Sequence, residues 1–225
     1  VNSDEAPDLK DDLPAERALL ERAIGGWRGM IDSALPSLVF LIAYLVTGSD
    51  LRNALIAAVV VGAVVAVIRL VRRESLQQVL AGFAGVAISA FVASRTGQAS
   101  DFYLPGILTN AAYGVALLVS ILVGWPLIGV AAGYLTGDGT AWRSDSPTRR
   151  AYAASTWIWV GLFALRLVVQ VPLYLMQNVA ALGIAKVVMG WPLYLLCVYL
   201  TYRVLAPALK IRRAQLVKPD ENPAD

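Results

Sequence analysis

Arg166 and Gln170 stand one helical turn apart inside an apolar run, Trp157 to Met176, long enough to cross a bilayer. A guanidinium at that depth costs about 2.5 to 17 kcal/mol unless it meets a partner, water or lipid phosphate. Two readings follow. In one, the pair forms an anion or lipid-headgroup site, or the polar lining of a cavity. In the other, Arg166 is a structural cation hydrogen-bonded to carbonyls and to Asn110 or Asn53. Asn110 is itself a polar residue inside an apolar run.

Two further charged residues join the candidates. Lys186 lies about one turn inside the expected outer interface, where its stem can snorkel to headgroups; a gate residue is the lesser reading. Asp32 is the one carboxylate expected close to the hydrophobic core, and so the one candidate for proton coupling. It falls within about a turn of the inner interface, roughly 20 Å shallower than Arg166. Its blander role there is to complement the positive end of a helix dipole.

Other chemistry is thinly represented. The chain has no histidine and a single cysteine, Cys197, which sits in an apolar run. That removes internal disulfides, histidine general bases and histidine metal sites. No nucleophile–base pair, phosphate loop or metal constellation stands out, so no catalytic residue, metal or cofactor is expected. A net charge of +3, spread over segment ends, gives no basic patch for nucleic acid.

The elements that must carry these residues are membrane helices. Of the 225 residues, 58% are hydrophobic, gathered in several runs of about 20. The runs lack the alternation of an outer-membrane barrel strand. The expected class is all-α: a polytopic membrane protein with six transmembrane helices, cytoplasmic N- and C-termini and a short interfacial helix. Residues 1–13 read as a disordered acidic tail, and 14–29 as an amphipathic interfacial segment interrupted by Gly25-Gly26. The six-helix domain is drawn over 30–206, and a basic then acidic cytoplasmic tail over 207–225.

Within that domain the spans run from about Met30 to Thr47, Leu51 to Leu70, Leu76 to Ser94, Tyr103 to Val123, Ala153 to Met176 and Ala181 to Leu205. Trp125 to Leu135 is half a span long and reads as interfacial or re-entrant. Gly124-Trp125-Pro126-Leu127 recurs as Gly190-Trp191-Pro192-Leu193, at places too different to mark an internal repeat. Fifteen Lys and Arg fall on one side of this topology and two, Arg52 and Arg95, on the other. That asymmetry puts both ends in the cytoplasm. Trp27, Arg72, Arg73, Trp125, Arg149 and Arg150 are the expected interfacial residues.

The stretch Gly25-Gly26-Trp27-Arg28-Gly29-Met30-Ile31-Asp32-Ser33-Ala34-Leu35-Pro36 carries a resemblance, as does Leu70-Val71-Arg72-Arg73-Glu74-Ser75-Leu76-Gln77-Gln78. Both resemble a family of actinobacterial integral membrane proteins of the domain-of-unknown-function 3159 type. More distantly, Asp32, Leu35-Pro36, Phe40, Tyr44, Leu117-Leu118-Val119-Ser120 and Pro126-Leu127-Ile128 are similar to intracellular septation protein A. That resemblance implies a non-enzymatic, multi-pass protein of the inner (plasma) membrane, serving envelope biogenesis or cell division through partners or lipids. It transfers no catalytic residue. The expected partners are membrane lipids, anionic ones included, and envelope-synthesis or division proteins; a homo-oligomer stays open. The alternative is a small transporter or channel for an anionic or lipidic solute using Arg166. A cavity lined by Arg166, Gln170 and Asn110 favours the alternative, and a solidly packed bundle favours the first reading.

Overall fold

The computed structural model describes residues 26–137 and 139–217, and all regular structure among them is helical. The acidic tail, nearly all of the amphipathic segment and residues 218–225 lie outside the described residues, as does the side chain of Trp27. The helices group into two compact units that divide between Gly97 and Gln98.

The first unit contains α1 (Gly26–Val46), α2 (Leu51–Val71) and α3 (Leu76–Thr96). Among the described residues α1 runs from Gly26, so Gly26 and Gly29, expected as part of a break, are already helical. Gly48 and Ser49 turn the chain in the left-handed region, at φ +68° and +73°. Asp50 then caps α2, accepting from the Asn53 backbone N–H at 3.2 Å and from its side chain at 2.5 Å. Ala54, Ala58 and Gly62 recur at four-residue spacing on the buried face of α2. A Cβ on Gly62 would stand 3.3 Å from Val86 Cγ1. Small residues thus bring α2 and α3 close, as in other membrane helix pairs. Gly97, at φ +73°, ends α3.

The second unit opens with a 3-10 turn, Ala99–Phe102, and then α4 (Leu104–Leu122) and a short α5 (Leu127–Thr136). A second 3-10 turn, Ala141–Arg143, leads to α6 (Ser146–Leu175), the longest helix, and to α7 (Val179–Val188) and α8 (Trp191–Val217). Helix α6 packs against α4, α5, α7 and α8, so it is the axis of this unit. Leu162, Phe163 and Cys197 are buried where α6 meets α8, and Gly114 lets α4 approach the Phe163 Cβ.

Three boundaries differ from the sequence reading. Helix α6 starts at Ser146, not near Ala153, because Asp145 caps it through the Thr148 N–H at 3.3 Å and Pro147 suits a first turn. The expected sixth span is broken: α7 stops at Val188 and α8 resumes at Trp191. Helix α8 continues through Pro207 to Val217, past the expected end near Leu205.

The recurrent Gly-Trp-Pro-Leu sequence explains the break. Its first copy separates α4 from α5, with Gly124 at φ +74°. Its second copy separates α7 from α8. Each copy pairs a flexible glycine with a proline that cannot donate the next helical hydrogen bond. The motif is therefore a helix interrupter used twice.

Helix α5 is held by close packing around Trp142, which is fully buried. A Cβ on Gly129 would meet the Trp142 and Tyr152 rings at 3.0 Å, and one on Gly133 would collide with the Gly139 carbonyl oxygen. The small residues at four-residue spacing serve this docking.

Candidate functional site

In the second unit, the gap between α7 and α8 leaves the Met189 carbonyl outside the helical ladder. Arg166, reaching from α6, donates Nε to that carbonyl at 2.9 Å. Its Nη1 donates to Asn110 Oδ1 on α4 at 3.2 Å and to Tyr194 Oη on α8 at 3.0 Å. The guanidinium carbon lies 4.9 Å from the centroid of the Tyr194 ring. Arg166 is only 8% exposed, and the elements it ties together are α4, α6 and the two pieces of the broken helix.

These bonds occupy three of the five guanidinium N–H donors. The two on Nη2 make no hydrogen bond to a described residue. Beside them lies a cavity of about 250 Å³. It is bordered by Asn110, Arg166, Gln170, Lys186, Tyr194 and Thr109, with Tyr103, Gly106 and Leu182 completing the wall. The cavity lies toward the end of the unit where α4 starts, α6 ends and α7 starts.

Gln170 is 6% exposed, and its Nε2 is buried without an acceptor among the described residues. Lys186 forms no hydrogen bond or ion pair with a described residue. Its ammonium lies 5.4 Å from the Tyr103 ring centroid and 5.8 Å from that of Phe102. The sequence reading has this stem snorkelling to headgroups or serving as a gate; the side chain stands on the cavity wall beside aromatic faces. The break after Val188 makes α7 a short helix that turns Lys186 toward Arg166's cavity.

The structure thus brings together Arg166, Gln170, Asn110 and Lys186. Asp32 belongs to the first unit, where it accepts from Arg72 Nη1 at 3.0 Å. There it borders a smaller cavity of about 80 Å³ with Pro36, Gly62 and Arg69. Arg69 pairs with Glu74 at 2.5 Å. Asn53, the alternative partner for Arg166, is used in capping α2. Of the residues expected at the interfaces, Arg73, Arg149 and Arg150 are exposed, and Trp125 lies under the Arg143 guanidinium at 3.8 Å.

Sequence reasoning missed Tyr194 and the Met189 carbonyl. The signal for both was the second Gly-Trp-Pro, weighed only as an internal repeat. It also missed Asp101. Assigned to a polar loop, Asp101 is 4% exposed and accepts from Tyr174 Oη at 2.6 Å. Ser100 donates to Gln177 Oε1 at 2.5 Å next to it. These two bonds fasten the 3-10 turn to the end of α6.

Among the described residues five helices are long and apolar enough to cross a membrane, with α7 and α8 taken together as one crossing. The apolar part of α1 among the described residues is shorter, Ala34–Val46. No group of His, Cys, Asp or Glu suited to a metal occurs among the described residues. Fold and site together define an all-helical, multi-pass membrane protein with a cavity bordered by two cations. The chain belongs to the family described as "Protein of unknown function (DUF3159)", whose model matches residues 24–212. No curated protein and no solved structure matches it.

Proposed function

We propose that this protein spans the plasma membrane six times with both ends in the cytoplasm, and that its second unit binds an anionic solute or lipid headgroup at Arg166. One observation carries the reading: two cations, Arg166 and Lys186, border one cavity whose wall contains no carboxylate. Buried charge of one sign without compensation is costly, so such a wall is completed by an anion. The free Nη2 donors and the unpartnered Gln170 Nε2 supply hydrogen bonds for it.

The scaffold role in envelope biogenesis or division is the lesser reading, because it needs nothing from this cavity. A sixth crossing by α1 is supported by its 21-residue length and by the fifteen-to-two distribution of basic residues. The anion reading is tested by extracting the protein in mild detergent and recording native mass spectra of wild type and Arg166→Gln. Retained anionic lipid or solute that disappears in the variant is the expected result. A wild-type spectrum free of any such adduct, before and after adding anionic lipid, sinks the reading.

A further inference from the structure

The cavity also has a charge to match and a direction of entry. Arg166 and Lys186 contribute two positive charges, while the other polar residues on the wall, Asn110, Gln170, Thr109, Tyr103 and Tyr194, are neutral. A monoanion leaves one of those charges uncompensated in a medium of low polarity; a dianion neutralises both. The donors are also numerous. Asn110 Oδ1 and Tyr194 Oη are taken up in accepting from Arg166, which leaves the Asn110 amide hydrogens and the Tyr194 hydroxyl hydrogen free to donate. With Nη2, Lys186 Nζ and the Gln170 amide, these suit a group that offers three terminal oxygens.

Access is lateral. Gly106 and Thr109 line the cavity and are exposed on the surface of α4. They stand two and five residues beyond the start of that helix, about 3 to 8 Å along it. On a helix whose 19 residues span about 28 Å, this is the outermost part of the acyl-chain layer, just beneath the headgroups. Gly106 has no side chain to close the opening, and a Cβ added there would touch nothing. Leu108 and Val115, also on α4, are exposed and apolar, as a surface facing acyl chains should be.

We propose that the cavity, taken as the anion site argued above, selects a phosphate monoester in its dianionic form, presented as a lipid headgroup that enters sideways past Gly106 and Thr109. Arg166 Nη2 and Lys186 Nζ carry the charge recognition, and Gln170 and Tyr194 orient the oxygens. A phosphate monoester gains its second charge near pH 6, whereas a phosphodiester never does. The site therefore favours the monoester lipid most strongly above that pH. Free inorganic phosphate shares the chemistry but has no acyl chains to bring it to a lateral opening.

Native mass spectrometry of the full-length protein, titrated in detergent with phosphatidic acid, phosphatidylglycerol or inorganic phosphate, tests this. Phosphatidic acid is expected to bind about tenfold more tightly than phosphatidylglycerol at about pH 7.5, with the preference shrinking at about pH 5.5. Arg166→Gln and Lys186→Gln are each expected to abolish that preference. Lys186→Gln is the cleaner variant, because Lys186 makes no hydrogen bond with the described protein and its loss leaves the fold's polar ties in place. Equal, Arg166-dependent binding of the two lipids overturns the monoester selection and leaves the anion site standing. Inorganic phosphate displacing the lipid at matched concentration overturns lateral lipid entry. Binding that depends on neither Arg166 nor Lys186 overturns the anion site as well.

Discussion

Arg166 is satisfied from two directions at once, by a side chain on α4 and by the broken helix, and its partners are not equivalent. Asn110 offers a carbonyl oxygen that no other described residue uses, and it is 8% exposed. Replacing it with alanine leaves one Nη1 hydrogen without an acceptor in a buried site. A loss of about 1 to 3 kcal/mol is expected, the usual cost of stranding a buried donor. Thermal unfolding in detergent, compared with Thr109→Ala on the exposed side of the same helix, measures it. Equal midpoints for the two variants would refute the argument. The convergence of Arg166, Gln170 and Asn110 was legible in the sequence because polar residues in apolar runs are conspicuous and costly. Tyr194 was not, since a tyrosine in a membrane helix reads as ordinary interfacial or apolar surface. Asp101 escaped notice because a carboxylate in a short connection reads as solvated.

At the scale of elements, the interruption between α7 and α8 decides how the site is built. Gly190 sits tightly: a Cβ there would stand 3.0 Å from the carbonyl oxygens of Lys186 and Val187. Pro192 removes a backbone donor from the first turn of α8. Changing Pro192 to alanine together with Gly190 to alanine should favour one continuous helix, in which the Leu193 N–H reclaims the Met189 carbonyl. Arg166 then loses its Nε acceptor, and Lys186 turns away from the cavity. The double variant is expected to retain less anionic lipid than wild type while gaining helical circular dichroism. Unchanged lipid retention would show that the interruption is incidental to the site. The reading of a continuous sixth span failed for a physical reason. Hydropathy averages over a window and cannot see a two-residue gap whose freed carbonyl is satisfied by a side chain 23 residues earlier.

For the whole molecule, the helix class and most helix boundaries followed from apolar runs, turn glycines and capping residues. The division at Gly97–Gln98 did not, because nothing in hydropathy separates one packed unit from the next. The topology makes a direct prediction. Cys197 is 4% exposed, so single cysteines introduced elsewhere report with little background. A cysteine at Ser144 is expected to react only with cytoplasmic reagent, and one at Gly97 only with reagent added outside. The opposite pattern at either position rejects the six-span arrangement.

The bond from Arg166 to Met189 also has a consequence in time. A chain made at roughly 5 to 20 residues per second exposes Arg166 to the bilayer about 1 to 5 s before the Met189 carbonyl can follow. Tyr194 comes later still, 28 residues after Arg166, while Asn110 has been waiting since 56 residues before it. For that interval the nascent protein holds a guanidinium in the membrane with one side-chain partner. Completion of α8 therefore relieves a cost incurred during insertion, and a chain arrested between Arg166 and Met189 keeps a guanidinium that lacks two of its three hydrogen-bond acceptors.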